Sequence, residues 1–334
     1  MKIKKKSLIQ YTIMLGVALC LCVGGFIVFN STTIKSSYQS RLYVPTSITK
    51  IDNTYFIMDC WQHRLLYSDS LNRPIEKWKV ATDDITGGHT VASDGELYIT
   101  EDTEGSRIVV LKKSGGKFKE VQTVDGITGR PHYSLYDMDN KRFYVIAATE
   151  GTIYVFKNNE GTLELDEKRV YEELQGSYIR SMTIMDGYLY LTAGSGAISQ
   201  IDYKNSNMNI VESYQVPEEL YNMNYLTKIQ DYYYCTTNLT GEDLHSGIFR
   251  ARTLEDFGTG NYENLYNEME FEGTPYFISF FDDSYYITEV GEFGNNGIRS
   301  FQVDEDNQIY NVKKVFFYSD VIDESVNRKH EKMP

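Results

Sequence analysis

The chain has 334 residues, enough for one large all-β domain, and 14% of them are aromatic, 28 being Tyr. Its formal charge is −14; the only basic residues before residue 30 are Lys2, Lys4, Lys5 and Lys6, so the remainder carries 47 acidic against 29 basic residues, a net of −18. A surface this acidic argues against nucleic acid, anionic lipid or polyanionic glycan as partner, and is compatible with cationic ligands or divalent cations.

In chain order, residues 1–7 form a basic head, followed by 22 uncharged residues from Leu8 to Phe29 with only Gln10, Tyr11 and Thr12 polar. A helix of that length spans roughly 33 Å, against about 30 Å of bilayer hydrocarbon. The apolar run is too long for a signal peptide and ends without a small-x-small site. Leu19 and Leu21 before Cys20 and Cys22 do not suit lipoprotein processing. The segment 8–29 is therefore expected to be an uncleaved signal anchor, with the N-terminus cytoplasmic and the rest of the chain extracytoplasmic at the plasma membrane. Residues 30–40, rich in Ser and Thr, read as a stalk.

From residue 41 a pattern recurs: a turn, then a Tyr-led apolar strand ending in a small or acidic residue. Its copies begin at Tyr55, Tyr98, Tyr144, Tyr190, Tyr234 and Tyr286, at spacings of 43, 46, 46, 44 and 52. A second column, Leu65, Ile108, Ile153, Ile198, Ile248 and Ile298, opens another β-rich stretch after each copy. Strands precede the Tyr, as at Ser47–Ile51 and Phe277–Phe281, and a fourth closes several units, as at Phe118–Val124 and Ile309–Phe317. Four strands in each of six units predict a six-bladed β-propeller over 41–321, with 322–334 a tail. Helix-period stripes are absent. Most tyrosines, Tyr98 and Tyr190 among them, are expected to pack between blades. Cys60 and Cys235 fall in blades one and five, where a bridge is not expected.

The run Asp59-Cys-Trp-Gln-His-Arg-Leu-Leu-Tyr67 resembles an NHL repeat, and Glu101-Asp-Thr-Glu-Gly-Ser-Arg-Ile-Val109 is a weaker copy. The wider resemblance, over about residues 41–320, is to six-bladed propellers of the NHL, streptogramin-lyase and gluconolactonase group, whose functions vary widely. It assigns His63 to structure.

In such a fold the starts of the innermost strands and the ends of the second strands meet on one face, around the channel. That gathers Thr46, His89, the Gly129-Arg-Pro-His132 turn, Arg180, Asn224, Tyr225 and Tyr276, with Asp59, Glu101, Asp102, Asn238 and Glu289. Of these, His89, His132, Arg180, Asn224, Tyr225 and Tyr276 are candidates to contact a ligand. His89 and His132, in equivalent positions of adjacent blades, are the candidates for catalysis, although each could simply bond a backbone carbonyl. The long loops Leu239–Ser246 and Gly291–Asn296 bring Glu242, Asp243, His245 and Glu292 to the same rim. The resemblance also implies a divalent cation such as calcium at the mouth, for which Glu101, Asn238 and Glu289 are candidate ligands. Ala147, Ala148, Ala193 and Gly194 leave that ring incomplete. No G-x-S-x-G, H-E-x-x-H or phosphate-binding Gly loop is present. The expectation is a membrane-anchored module recognising an unidentified small molecule, peptide or protein; the alternative is a metal-assisted hydrolase or lyase.

Overall fold

The computed structural model describes residues 41–318 other than 206, 239–245 and 292–295. Described residues 42–73 and 77–318 belong to one compact unit; residues 41 and 74–76 group apart from it. The head, anchor, stalk and tail (1–7, 8–29, 30–40, 322–334) lie outside the described residues, as do Glu242, Asp243, His245 and Glu292. No helix among the described residues is long and apolar enough to cross a membrane.

Six four-stranded antiparallel sheets follow one another, each built from four consecutive strands. The innermost strands are Pro45–Ile51, Ala92–Ser93, Pro131–Asp137, Ile179–Met185, Met223–Ile229 and Thr274–Phe281. The recurring Tyr sits in the second strand of every blade: Thr54–Asp59, Leu97–Asp102, Arg142–Ala147, Tyr188–Ala193, Tyr232–Thr237 and Ser284–Val290. The protein is thus an all-β, six-bladed propeller, as the repeat predicts.

The blades stack because alternate strand residues face the neighbouring sheet. Tyr98 and Phe56 close on Phe118 between blades one and two, with ring centroids 4.9 and 5.3 Å away. Tyr144, Met182 and Leu189 fill the gap between blades three and four; Tyr190, Leu226 and Phe249 that between four and five. Tyr98 and Tyr190 are accordingly buried. Among the described residues no strand is exchanged between first and last blades, and the contacts that close the ring are made by side chains. Thr288 Oγ1 donates to the Thr46 carbonyl at 2.8 Å, Tyr55 donates to Asp282 at 2.6 Å, and Lys50 pairs with the same carboxylate. The chain enters blade one at Pro45, opposite Asp59, and leaves blade six at Tyr318, opposite Asn296. Both points lie on the face where second strands end.

Two local features refine the reading. His63 adopts a left-handed conformation (φ 52°) that ends the turn Cys60–Gln62, consistent with a structural role. A short α-helix, Leu254–Thr259, interrupts blade five. It lacks a periodic stripe but carries a capping box, Thr253 with Asp256, and a left-handed Gly260 at its end. Cys60 and Cys235 are buried free thiols.

Candidate functional site at the channel mouth

The innermost strands share one irregularity. In five blades the register slips at the strand start, between Pro45 and Ser47, Pro131 and Tyr133, Ile179 and Ser181, Met223 and Tyr225, and Pro275 and Ile278. The residues left out of the ladder are Thr46, His132, Arg180, Asn224 and, with Phe277, Tyr276. In blade two pairing begins only at Ala92, and His89 precedes it. A bulge bends the strand and re-aims the extra side chain, here toward the axis. Two residues earlier the backbone is left-handed at Gly87, Arg130, Tyr178 and Asn222. Gly and Asn accept that conformation readily, whereas Arg and Tyr hold it at a cost of about 1 kcal/mol or more.

These side chains divide by blade. From blades one, three and five they clasp the next blade. Thr46 Oγ1 donates to the His89 carbonyl at 3.0 Å, His132 Nδ1 lies 2.9 Å from the Arg180 carbonyl, and Asn224 Nδ2 donates to the Pro275 carbonyl at 3.0 Å. From blades two, four and six they meet across the axis. The His89 ring stacks on His132 with centroids 3.7 Å apart and faces Tyr276 at 6.2 Å. Arg180 lies 4.9 Å from the Tyr178 ring and beside the Tyr276 phenol, whose pKa burial raises and the Arg180 charge lowers. The Tyr178 edge meets His132 at 5.6 Å. One residue further along the strands, Tyr133, Tyr225 and Phe277 pack together at 5.0–6.1 Å and plug the channel. Tyr225, predicted as a ligand contact, is therefore part of the floor and is buried.

Electrostatics at the mouth follow from burial. Desolvation, then the nearby Arg180 and Arg130, lowers His89 to about 3. Desolvation, then His89 and Arg180, holds His132 well below its usual value. Both rings are neutral at pH 7, and because His132 Nδ1 faces a carbonyl it carries the proton. Burial raises the Tyr276 phenol to about 12, so it remains an O–H donor. The cations are Arg130, paired with Glu104 at 2.7 Å on the rim, and Arg180. Among the described residues no carboxylate lies within ion-pair distance of Arg180. His89 Nδ1, Arg180 Nε, Arg130 Nε and Asn224 Oδ1 are buried without a hydrogen-bond partner. Buried polar atoms left open in this way demand an explanation, and a ligand supplies one.

The acidic candidates do different work. Glu101 accepts from the Thr90 N–H at 3.0 Å, the His89 N–H at 3.3 Å and the Thr90 hydroxyl. Glu289 accepts from Glu272 N at 2.7 Å, Gly273 N at 2.6 Å and Arg299 Nε at 2.6 Å. Asp59 takes the N–H groups of Tyr43 and Val44 together with Arg64, and Asp102 takes those of Thr86 and Gly105 with Arg107. Each carboxylate thus ties the entry of its blade to the end of its second strand. Asn238 accepts from Thr274 across the gap between blades five and six. Among the described residues no three His, Cys, Asp or Glu side chains are grouped to hold a metal ion. Glu101, Asn238 and Glu289 do not fit the expected calcium set, because their oxygens are already engaged in holding blades together.

The structure thus brings His89, His132, Arg180 and Tyr276 together, uses Asn224 as a clasp, and sets Tyr225 beneath them. Tyr178 was not read from the sequence. Its signal is its place two residues before a bulged residue, the spacing that also relates Arg130 to His132.

No protein-family profile and no curated protein matches the sequence. Solved structures do. A proposed 6-phosphogluconolactonase from Bacteroides fragilis superposes with a TM-score of 0.60 at 12% identity, covering 82% of this chain and 85% of the other. One from Bacteroides uniformis gives 0.60 at 13%, covering 83% and 88%. The hydrazine synthase of Kuenenia stuttgartiensis gives 0.55 at 18%, covering 79% and 78%. At such identities the likeness is one of fold: a six-bladed propeller similar to lactonase-like propellers.

Proposed function

We propose that the chain is a recognition propeller, anchored in the plasma membrane through residues 8–29, whose extracytoplasmic channel mouth binds a small organic anion. The reading rests on Arg180, a half-buried guanidinium beside neutral His89 with no carboxylate partner among the described residues. A charge so placed favours an incoming carboxylate or phosphoryl group, and the Nδ1 of His89 and phenol of Tyr276 can bond it. The clasps from blades one, three and five hold these groups in advance, which lowers the ordering cost of binding. Keeping Arg and Tyr in left-handed conformations at positions 130 and 178 also fits a site that needs their side chains.

Calorimetric titration of the full chain with small carboxylates tests the reading. Arg180→Ala should weaken the binding ligand at least tenfold and leave the melting temperature nearly unchanged. A ligand held equally well by the variant would refute it. The anchor is tested separately: protease treatment of intact cells should remove everything after about residue 40 and leave a membrane-bound stub. Release of the whole domain into the medium would show a cleaved signal instead.

A second reading is favoured by the neutral His89 beside Arg180. A base next to an anion stabiliser is what lactone hydrolysis requires, and the fold is that of proposed 6-phosphogluconolactonases. Acid release from aldonolactones by the full chain, lost in His89→Ala, would support it; no step is assigned to a metal.

A further inference from the structure

A second concave site lies away from the mouth, between the hairpin turns of blades one and two on the opposite face. It is a cleft of about 210 Å³ walled by Thr54, Tyr67, Arg73, Lys77, Lys79 and Lys113. Four cations therefore surround one small cleft in a protein of net charge −14. Asp69, the one carboxylate in the lining, is engaged by Arg73 at 2.8 Å. Among the described residues Lys77, Lys79 and Lys113 have no carboxylate within ion-pair distance, unlike Lys50, Lys112, Lys157, Lys204, Lys228 and Lys314.

What holds the ammonium groups in place is aromatic. Lys79 Nζ lies 5.8 Å from the Tyr67 ring centre and Lys113 Nζ 5.7 Å from that of Phe118. Those rings pack edge to face at 4.8 Å across the boundary between the blades. Ring faces attract a cation without neutralising it. Lys113 also donates to the buried hydroxyl of Thr54 at 2.7 Å, leaving the Thr54 proton free to point elsewhere. The cleft therefore offers positioned, uncompensated positive charge and a hydroxyl donor on a rigid platform.

We propose that this cleft binds a phosphoryl group, as free phosphate or as the ester of a small solute. Its volume corresponds to about seven waters at roughly 30 Å³ each, room for a phosphate and a short substituent. Three unpaired ammonium groups match its charge. Large polyanions are disfavoured by the acidity of the remaining surface.

The test is calorimetric titration of the full chain, at fixed ionic strength, with inorganic phosphate and with glycerol phosphate. Saturable binding is expected, weakened at least tenfold in Lys79→Gln/Lys113→Gln and retained in Lys79→Arg/Lys113→Arg. Glycerol phosphate binding more tightly than phosphate would identify an esterified solute; equal affinity would identify the free ion. Arg180→Ala should leave this binding unchanged, which separates it from any event at the mouth. Absence of saturable binding, binding indifferent to the glutamine pair, or binding abolished by Arg180→Ala would overturn the assignment.

Discussion

At the scale of single residues, the mouth shows how burial decides protonation. His89 and His132 are neutral in the folded protein, while the unfolded chain binds their protons near 6.5. Between that value and the folded ones the unfolded state carries more protons. The stability due to neutral rings is therefore complete above about pH 6.5 and is lost as pH falls, at up to about 1.4 kcal/mol per pH unit for each ring. Melting curves between about pH 7.5 and 4.5 should show this decline, and His132→Asn, which keeps a donor for the Arg180 carbonyl, should flatten it. Parallel curves for variant and parent would mean the rings titrate normally. The histidine positions were legible in the sequence because they fall at equivalent points of adjacent repeats. Their partners were not: a bulge is a matter of register, and nothing in Pro131-His132-Tyr133 announces which residue leaves the ladder.

At the scale of strands, the carboxylates ending second strands are the clearest case of ambiguous residues. An Asp or Glu there looks the same in sequence whether it holds a cation or a pair of N–H groups. The NHL-like spacing of Asp59 and Arg64 was the better guide, since both are buried and paired at 2.9 Å. Asp59→Ala should cost about 3–5 kcal/mol in urea unfolding, because it removes a buried carboxylate that pairs with Arg64 and accepts two backbone N–H groups. Replacing both with apolar residues should cost less. Equal losses would show that the N–H groups of Tyr43 and Val44, rather than the ion pair, carry the energy. Glu289, paired with Arg299, belongs to the same class.

At the scale of the whole molecule, the architecture was legible because a single column of tyrosines repeats at nearly constant spacing, and each blade is a continuous stretch of chain. Every blade buries its faces on two neighbours, so removing residues 127–172 should leave apolar faces of blades two and four without their partner. The deleted protein should self-associate and lose its cooperative melting transition. A monomer melting as the parent does would contradict a closed ring of six.

That the chain enters and leaves on one face, with no strand shared between first and last blades among the described residues, makes the ring a candidate for circular permutation. Joining residue 318 to residue 42 through a short linker and opening the hairpin at Asp186-Gly187, where Gly187 faces open space, would keep the N–H groups of Tyr43 and Val44 on Asp59 and move both ends to the face opposite the mouth. The strands Ile179–Met185 and Tyr188–Ala193, now at the two extremes of the chain, would have to pair with each other. A ring held at one boundary by side chains would then be latched within blade four by a ladder of backbone hydrogen bonds, as a belt is by its buckle. The permuted protein should unfold more slowly in denaturant than its parent, and its mouth would be free of tethered ends, open to a surface, a label or a second fused domain on the far side.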